Sequence, residues 1–416
     1  MANRIEIEKK YFCNELDKLK VLLKNENFKT HKAIIENDEY FTDIDSKYIK
    51  NRTCLRIRKT DNKYMELTFK GKSNVLNNIY AKKESDISID INEYNDVVEL
   101  LSALGYYSYV EVKKVRHIYT KKEVELTYNV MIDEIENVGQ FIEFEILCND
   151  ENKSIEILKN KLKEFVNKFR ELNLQEADLP YRDFVASKIF NNLTNSKEKT
   201  HLLLDLDGTL INSEKEFFEC FRDIIYEQFK YEITIEEYIE NEQNQNNNLI
   251  NYLKNKNIIY ENIDEQDIMK VVYEKYRGKF VTICDKKESI INFELLKKIK
   301  SLGVKLALVT TCKRIYIDIL KETLKIEGLF EVIIAREDVN ELKPNKEAYK
   351  KAIDILNVNK QNCLIIEDSK RGYIAAKNIE IDCVLVSEFA LNKEIEKNIN
   401  CLKNFTQFSL IFLNNI

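Results

Sequence analysis

Two aspartates one residue apart stand at the end of a short apolar run in the middle of the chain. Residues 202–204 are all leucine, as in a buried parallel strand, and Asp205 and Asp207 follow directly. In an open α/β sheet, side chains at the carboxyl end of a strand project into the crevice where ligands bind, so both carboxylates are predicted to reach one pocket. Two carboxylates this close require a cation or a shared proton, and an oxygen-rich cluster without sulfur suits Mg²⁺.

Other predicted strands in the same half of the chain also end in polar residues. Thr310, Lys343 and the pair Glu367 and Asp368 each come at or just after the end of a predicted strand. Because parallel strands of one sheet end at the same edge, these side chains are predicted to join Asp205. A hydroxyl, an ammonium group and several carboxylates around one point predict a pocket for phosphoryl transfer.

The first half of the chain consists of segments in which polar and apolar residues alternate. In residues 5–11, Glu6, Glu8 and Lys10 fall on one face of a strand and apolar residues on the other. The same pattern recurs, so that one face of nearly every strand carries acids and bases: Arg56, Arg58, Glu66, Lys70, Lys82, Lys114, Arg116, Asp133, Glu143 and Glu145. A closed antiparallel barrel would turn this face into its lumen, where bases bind phosphate oxygens and acids bind a divalent metal. The alternative is the ordinary solvent-facing side of a sheet.

Length and composition set further bounds. The chain has 416 residues, 44 % of them hydrophobic and 33 % charged, which predicts two or three domains. A net charge of −6 argues against a dedicated nucleic-acid binder, whereas the motifs described above predict small phosphorylated molecules as partners. The nine cysteines form no C-x-x-C pair, and neither a signal peptide nor a membrane span is apparent. We therefore expect reduced thiols, a cytoplasmic location and no membrane partner; the sequence does not indicate the oligomeric state.

The order of predicted strands and helices divides the chain in two. Residues 1–190 hold the alternating strands, and residues 191–199, which are polar and lack periodicity, are the predicted linker. Residues 200–416 alternate strand and helix, as in a doubly wound α/β domain, and residues 213–284 are predicted to be a helical insertion after the first strand. The core of this domain is formed by the flanking parts, 200–212 and 285–416.

The ordered motifs of the first half resemble the CYTH superfamily, also called triphosphate tunnel metalloenzymes, which includes thiamine triphosphatases, inorganic triphosphatases and class IV adenylate cyclases. The matching pieces are Glu6-x-Glu8-x-Lys10, the L-R-x-R of residues 55–58, the E-L-T-x-K-G of residues 66–71, the K-x-R of residues 114–116 and the run from Asp133 to Glu145. The resemblance covers residues 3–190 and implies an antiparallel β-barrel tunnel of the α+β class.

The same resemblance implies a role for each polar residue of the lumen. Four glutamates would bind Mg²⁺, with Mn²⁺ as an alternative: Glu6, Glu8, Glu143 and Glu145. Asp133 would act on the metal or on the attacking water. Seven cations would hold the triphosphate: Lys10, Arg56, Arg58, Lys70, Lys82, Lys114 and Arg116. Lys188 is a candidate for the C-terminal tunnel lysine of the family.

The second half resembles the haloacid dehalogenase (HAD) superfamily, in the subgroup with a helical cap after the first motif. The D-L-D-G-T of residues 205–209 is the first motif, Thr310 the second, Lys343 the third and Glu367-Asp368 the fourth. The resemblance implies a Rossmann-like α/β fold with a helical cap, so the chain as a whole is predicted to be a multidomain protein.

The HAD motifs imply a reaction through a covalent intermediate. Asp205 would attack phosphorus to form an aspartyl-phosphate, and Asp207 would protonate the leaving oxygen and later deprotonate water. Thr310 and Lys343 would bind the phosphoryl oxygens. Mg²⁺ would be bound by Asp205, the backbone carbonyl of Asp207, and Asp368, with Glu367 in support.

The favoured interpretation is a bifunctional, metal-dependent phosphohydrolase, in which the tunnel cleaves a triphosphate and the HAD domain cleaves a phosphate monoester. Three alternatives remain open. The tunnel could be a class IV adenylate cyclase, or a non-catalytic polyphosphate-binding regulator of the HAD domain, although its metal-type glutamates argue against the latter. The HAD domain could be a mutase instead of a phosphatase.

Overall fold

The structure, a computed structural model, describes residues 5–71, 80–81, 84–150, 153–242, 249–386 and 401–416. The chain forms two compact units, Met1–Lys188 and Ile189–Ile416. Lys82, one of the predicted triphosphate ligands, lies outside the described residues. In the described part of the chain no helix is both long and apolar enough to cross a membrane, and all nine cysteines are free thiols.

The first unit is an antiparallel sheet with helices on its outer side. Its strands are β1 (Ile5–Phe12), β2 (Lys29–Thr30), β3 (Ile34–Thr42), β4 (Cys54–Thr60), β5 (Tyr64–Lys70), β6 (Tyr80–Ala81), β7 (Glu84–Ile89), β8 (Tyr107–Lys122), β9 (Leu126–Ile135), β10 (Gly139–Cys148) and β11 (Gln175–Glu176). Its helices are α1 (Leu16–Asn25), α2 (Lys47–Lys50), α3 (Tyr94–Ala103) and α4 (Ile155–Asn167), and a 3₁₀ turn covers Ile91–Glu93. Helix α5 (Tyr181–Thr194) begins in this unit and ends in the second, which starts at Ile189.

The strands follow the order β11-β1-β10-β9-β8-β3-β4-β5-β7, while β2 pairs with β8 and β6 with β1. The sheet curls until its two ends approach each other, since Lys70 of β5 lies 3.9 Å from Glu6 of β1. Within the described residues the ladder of hydrogen bonds does not run all the way round, because β7 pairs only with β5. The predicted tunnel is thus a strongly curved sheet around a polar lumen.

Burial explains why the polar face points inward. On β1, Ile7 and Tyr11 face outward into an apolar core shared with Leu19 and Leu23 of α1 and with side chains of α4. Strands β3 to β5 have a second apolar cluster, which includes residues of α3. Because helices cover the outer face, the alternation of the strands leaves their charged side chains in the lumen.

The second unit is a parallel sheet between helices. Its strands are β12 (His201–Leu204), β13 (Lys305–Val309), β14 (Val332–Ile334), β15 (Cys363–Glu367), β16 (Cys383–Val386) and β17 (Cys401–Leu402). Its helices are α6 (Ser213–Phe229), α7 (Ile235–Glu242), α8 (Leu249–Asn255), α9 (Glu265–Cys284), α10 (Lys287–Ser301), α11 (Arg314–Leu324), α12 (Glu347–Leu356), α13 (Lys370–Ile379) and α14 (Phe405–Asn415), with 3₁₀ turns at Arg336–Asp338 and Lys360–Asn362.

The strand order β14-β13-β12-β15-β16-β17 places the first strand of the unit in the middle of the sheet. Strand β12 pairs in parallel with β13 on one side and β15 on the other. The residues after β12 therefore lie between the ends of both neighbours, which is where the motif residues must meet. Helices α6 to α9 are inserted between β12 and α10 and form the predicted cap.

The prediction of a linker at residues 191–199 is wrong in its first part, because α5 continues to Thr194. Leu193 and Thr194 are buried, and Phe190 packs on Phe412 with 5.8 Å between ring centroids. These side chains continue a helical stripe among the asparagines. The helix ends where Asn195 and Ser196 take the left-handed conformation, with φ of 50° and 54°. Residues 195–200 connect α5 to β12.

A network of hydrogen bonds around Glu237 holds α7 and α8 of the cap together. Its carboxylate accepts hydrogen bonds from the hydroxyls of Tyr231 and Tyr252, each at 2.7 Å, and from Lys256 Nζ at 2.6 Å. Burial alone would raise the pKa of Glu237, but the hydrogen bond from Lys256 and those from Thr234 and the tyrosines lower it to about 2. The ionised form of Glu237 is therefore favoured by the folded cap.

We expect Glu237→Gln to lower the free energy of unfolding of the second unit by roughly 1–3 kcal/mol at pH 7. Since the folded pKa is depressed, the contribution is fully present above the ordinary pKa of 4.5 and is lost as the pH falls toward 2. Denaturant unfolding followed by circular dichroism at pH 7, 4 and 3 measures it. Glu240→Gln, on an exposed position of the same helix, is the control. If Glu237→Gln lowers the free energy of unfolding by the same amount at pH 7 and at pH 3, this account is contradicted.

Candidate functional sites

Three glutamates of the tunnel bring their carboxylates together. Glu6 and Glu8 project from β1 and Glu145 from the neighbouring β10, where Glu8 and Glu145 are register partners. One oxygen of each lies within 4.8 Å of the others, and Asn129 Nδ2 donates to Glu145 at 2.6 Å. Burial and then the charge of Glu6 raise the pKa of Glu145 to about 8. A divalent cation would relieve this repulsion, and an all-oxygen donor set suits Mg²⁺ or Mn²⁺.

Glu143, the fourth predicted metal ligand, lies beside this cluster but has other partners. Arg116 Nη2 donates to it at 3.0 Å, and it hydrogen-bonds with Glu8. Burial and the charge of Glu8 raise the pKa of Glu143, whereas the hydrogen bond from Glu143 offsets burial and lowers the pKa of Glu8. A cation bound at Glu8 would favour the ionised form of both carboxyl groups.

Two acids that the sequence motifs did not single out, Glu36 and Asp38 of β3, lie beneath the cations of the tunnel. Arg58 Nε and Nη2 donate to the two oxygens of Asp38 at 2.6 and 2.7 Å. Lys114 Nζ lies 2.9 Å from Asp38 and 2.8 Å from Glu36. Burial alone would raise the pKa of the fully enclosed Asp38, but Lys114, Arg58 and Arg56 hold it well below its usual range.

Asp133, predicted to act on the metal or on the attacking water, contacts two other side chains of the tunnel. Arg116 Nε and Nη2 donate to its two oxygens at 2.7 and 2.6 Å, and the Tyr181 hydroxyl donates to it at 2.9 Å. Asp133 is completely buried and does not belong to the three-carboxylate cluster. It therefore orients Arg116 and Tyr181, and its role on metal or water stays a prediction.

The predicted cations of the tunnel line one cavity together with the glutamates: Lys10, Arg56, Arg58, Lys70, Lys114 and Arg116. Lys10 Nζ also lies over the Tyr181 ring, 4.6 Å from its centroid. Lys188 is exposed on α5 and is not part of this lining, so the prediction of a tunnel lysine there is wrong. From the same helix, Arg182 lines the cavity, and its guanidinium donates to the carbonyls of Thr53 and Tyr48.

In the second unit, Lys343 joins the acidic residues of two strand ends. Its Nζ donates to Asp205 Oδ1 at 2.5 Å, to Glu367 Oε1 at 2.6 Å and to the carbonyl of Val309 at 2.8 Å. Glu367 also accepts from the Tyr349 hydroxyl at 2.5 Å. Burial alone would lower the pKa of Lys343, but the charges of Asp205 and Glu367 raise it, so Lys343 stays charged. Glu367 therefore holds Lys343 in place, and its supporting role at a metal stays a prediction.

Asp368 completes a second cluster of carboxylates. One oxygen each of Asp205, Glu367 and Asp368 lies within 4.8 Å of the others. Burial, followed by the charges of Glu214 and Asp205, raises the pKa of Asp368 well above its usual range, and burial raises that of Asp205 to about 8. Three buried carboxylates with a single cation, Lys343, among them fit a divalent metal, which Asp205 and Asp368 would hold.

Gly208 is required by the close approach of Asp368. Its φ is +75°, and a Cβ atom there would lie 2.0 Å from Asp368 Oδ2. No other residue type combines this backbone conformation with this contact. The glycine of the first motif thus lets the fourth motif reach the end of β12.

Asp207 lies apart from the carboxylate cluster and faces the cap. The Tyr276 hydroxyl of α9 donates to Asp207 Oδ1 at 3.4 Å. Burial raises the pKa of Asp207, against the opposing effect of hydrogen bonds from Ser213, Cys312 and Tyr276. A carboxyl group that keeps its proton more readily than usual is suited to act as a general acid.

Thr310 also reaches the end of the sheet, between β13 and the loop that follows. It is buried, its amide donates to Ile334 at 2.9 Å, and its Oγ1 accepts from the Cys312 amide at 3.0 Å. The predicted residues therefore come from the carboxyl ends of three strands and from the segments after them, with Lys343 in the segment that follows the edge strand β14: Asp205, Asp207, Thr310, Lys343, Glu367 and Asp368. Three further residues contact this group although no sequence motif predicted them: Tyr276, Tyr349 and Cys312.

Comparison with known proteins matches each unit separately. The profile of the CYTH domain matches residues 4–181, and that of the haloacid dehalogenase-like hydrolases matches residues 202–386. A protein of Methanocaldococcus jannaschii described as a candidate adenylate cyclase is 26 % identical over 181 residues, which are 44 % of this chain and 97 % of that protein. Pyrophosphatase PpaX of Bacillus cereus is 24 % identical over 189 residues, 45 % of this chain and 82 % of that protein.

Among solved structures, a Pyrococcus horikoshii protein aligns with 44 % of this chain and 99 % of its own, at 25 % identity and a TM-score of 0.36. The two profile matches do not overlap, and each covers the motif residues of its own unit. The chain thus combines, in one polypeptide, a CYTH domain with a haloacid dehalogenase-like hydrolase domain.

Proposed function

We propose that this chain is a bifunctional, divalent-metal-dependent phosphohydrolase, whose CYTH domain hydrolyses a triphosphate and whose HAD domain hydrolyses a phosphate ester. The observation that carries the proposal is that each unit has its own cluster of three buried or half-buried carboxylates beside charged cations. Carboxylates for a metal next to cations for phosphate oxygens are what metal-assisted phosphoryl transfer requires. The haloacid dehalogenase-like match and the pyrophosphatase relative support hydrolysis in the second unit.

In the HAD domain, Asp205 is the nucleophile. One of its oxygens attacks the phosphorus, and the bond from phosphorus to the leaving oxygen breaks as Asp207 gives that oxygen its proton. Water then attacks the aspartyl-phosphate, Asp207 takes up a proton, and phosphate leaves with Asp205 restored. Lys343, 2.5 Å from Asp205, keeps its positive charge at the place where phosphoryl oxygens arrive. A divalent cation held by Asp205 and Asp368 would supply further charge neutralisation and keep Asp205 ionised.

In the CYTH domain, the cations are oriented before a substrate arrives. Arg58 and Lys114 lie against Asp38, and Arg116 lies against Asp133, all within 3 Å. Their remaining N–H groups can turn to phosphate oxygens without a search for the right rotamer. Asp38 and Asp133 already compensate part of the positive charge of these cations. A metal at Glu6, Glu8 and Glu145 would neutralise the phosphate charge that remains.

The second candidate function is cyclisation of ATP by the CYTH domain. It is favoured by the similarity to the archaeal protein described as a candidate adenylate cyclase, which the alignment covers almost completely. The two reactions differ in the attacking group: water in the hydrolase, and the ribose 3′-hydroxyl of the substrate in the cyclase. A non-catalytic anion-binding tunnel is disfavoured because it has no need of the clustered carboxylates.

The proposal is tested with the full chain in Mg²⁺ or Mn²⁺. We expect release of phosphate from tripolyphosphate, ATP or thiamine triphosphate, and, separately, from p-nitrophenyl phosphate. Chromatography of the ATP reaction distinguishes ADP and phosphate from cyclic AMP and pyrophosphate. Cyclic AMP as the main product would replace the hydrolase by the cyclase, and the absence of turnover of every triphosphate would refute both. Release of a phosphate isomer of a sugar phosphate, without free phosphate, would make the HAD domain a mutase.

A further inference from the structure

A cavity lined by cations opens in front of Asp207, between the helical cap and the core of the second unit. Its volume is about 710 Å³, which is in the range of small-molecule sites. Asp207 and its partner Tyr276 form part of the wall. Five basic residues share this wall: Lys270, Arg277, Lys313, Arg336 and Arg371.

Cap and core contribute to this wall independently. Lys270 and Arg277 are two turns apart on α9 and therefore lie on one face of that helix. Lys313, Arg336 and Arg371 each lie two to four residues after the carboxyl end of a core strand, namely β13, β14 and β15. Loops at these strand ends are where ligands of α/β sheets bind.

In the part of the chain for which side chains are described, none of the five cations forms an ion pair or a side-chain hydrogen bond. By contrast, Lys275 on the same helix α9 lies 3.0 Å from Asp223 and 3.3 Å from Glu227. Like charges around one cavity repel each other, and a bound anion relieves that repulsion.

The acids in the same wall do not balance the five cations. They are Asp207, Glu214 and Glu274. Three carboxyl groups against five basic side chains leave an excess of positive charge even when every carboxyl group is ionised. A neutral leaving group would leave this excess uncompensated.

We infer that the substrate of the HAD domain carries a second phosphate on its leaving group, as in an organic bisphosphate or a phosphoanhydride, and that these five cations bind it. The inference rests on the proposed attack by Asp205. With pyrophosphate, Asp205 attacks one phosphorus, the bridging P–O bond breaks, and Asp207 protonates the bridging oxygen, which leaves as phosphate. Water then hydrolyses the aspartyl-phosphate, so that one pyrophosphate and one water give two phosphates.

The kinetic test compares substrates with and without the second phosphate, in the full chain carrying Glu8→Gln so that the tunnel contributes no turnover. The pairs are pyrophosphate against phenyl phosphate, and glucose 1,6-bisphosphate against glucose 6-phosphate. A preference within the first pair indicates a phosphoanhydride substrate, and a preference within the second pair indicates a bisphosphate. We expect kcat/KM to favour the second phosphate, and Arg277→Gln and Lys270→Gln each to reduce that preference about three- to tenfold. Lys275→Gln, the same change on the same helix, is the control and should leave the preference unchanged.

A binding measurement separates failure of this inference from failure of the proposed reaction. Calorimetry with methylenediphosphonate, which cannot be hydrolysed at its bridge, is carried out on the same chain with and without Arg277→Gln, so that binding in the tunnel cancels. We expect weaker binding to Arg277→Gln. If turnover is absent but this difference persists, the proposed reaction is wrong and the cation site stands. Turnover with no preference for a second phosphate, or with a preference that both variants retain, overturns the inference.

Discussion

Asp205→Asn is expected to lower phosphatase turnover by the HAD domain by a factor of about 10⁴ or more, since it removes the nucleophile. The amide oxygen of asparagine cannot form the aspartyl-phosphate. The fold should tolerate the change, because Asp205 is a buried carboxyl group whose pKa burial raises to about 8. Lys343 also keeps Glu367 and the Val309 carbonyl as acceptors. Release of phosphate from p-nitrophenyl phosphate measures turnover, and circular dichroism checks the fold.

Asp207→Asn should behave differently although it lies only two residues away. Asp207 faces Tyr276 and lies outside the carboxylate cluster, so its loss leaves the nucleophile in place. Without the acid, a poor leaving group such as an alkoxide is protonated too slowly, whereas p-nitrophenolate leaves with little help. Hydrolysis of the phosphoenzyme should also slow, because Asp207 no longer takes a proton from water.

A leaving-group series on both variants, together with rapid-quench trapping of ³²P-labelled protein, distinguishes these roles. Asp318→Asn, on an exposed position of α11, is the control for the substitution itself. Equal losses for good and poor leaving groups in Asp207→Asn would count against its role as acid. Labelled phosphoenzyme in Asp205→Asn would assign the nucleophile to another residue.

The positions of these catalytic groups could be predicted because they depend on strand ends alone. Residues that follow β12, β13 and β15 must meet once the sheet is parallel, and parallel pairing follows from the alternation of strand and helix along the chain. Likewise, Glu6 and Glu8 share a face because they are two residues apart on one strand. Neither inference needs the identity of distant neighbours.

The acids beneath the tunnel cations could not be predicted in this way. Glu36 and Asp38 belong to a polar segment that could equally face solvent. Their role depends on β3 lying between β4 and β8, which pairs Asp38 with Arg58 and Glu36 with Lys114. Strand order and register are properties of the whole sheet, and the local alternation of one strand does not specify them.

Contacts between segments that are distant in the sequence could not be predicted for a similar reason. Tyr276 meets Asp207 across 69 residues, and Tyr181 reaches Asp133 across 48. In the sequence, both tyrosines look like ordinary members of an amphipathic helix. The same ambiguity explains the error in the predicted linker: the asparagines at 191 and 192 obscure the half-buried Phe190 and the buried Leu193, with which α5 continues to Thr194.

The second large effect is expected from Glu8→Gln, which should abolish metal-dependent triphosphate turnover while phosphatase activity of the HAD domain persists. Glu8 joins Glu6 and Glu145 in the cluster, and its pKa is lowered whereas that of Glu145 is raised, so Glu8 is more readily ionised for a metal than Glu145. Glutamine keeps the size of the side chain but removes the negative charge. Loss of one of three charged ligands should reduce turnover at least about 10²-fold.

Glu134→Gln is the matched control, because Glu134 lies on the same sheet but is exposed on the opposite face from its neighbour Asp133. Phosphate release from tripolyphosphate and from p-nitrophenyl phosphate, measured on each variant, reports the two domains separately. Mn²⁺ titration followed by electron paramagnetic resonance should show one class of site lost in Glu8→Gln and none lost in Glu134→Gln. Since each unit contains its own carboxylate cluster, a parallel loss of both activities in Glu8→Gln would mean that the tunnel is not an independent site. If Glu8→Gln turned over triphosphate at the wild-type rate, the tunnel cluster would take no part in the reaction.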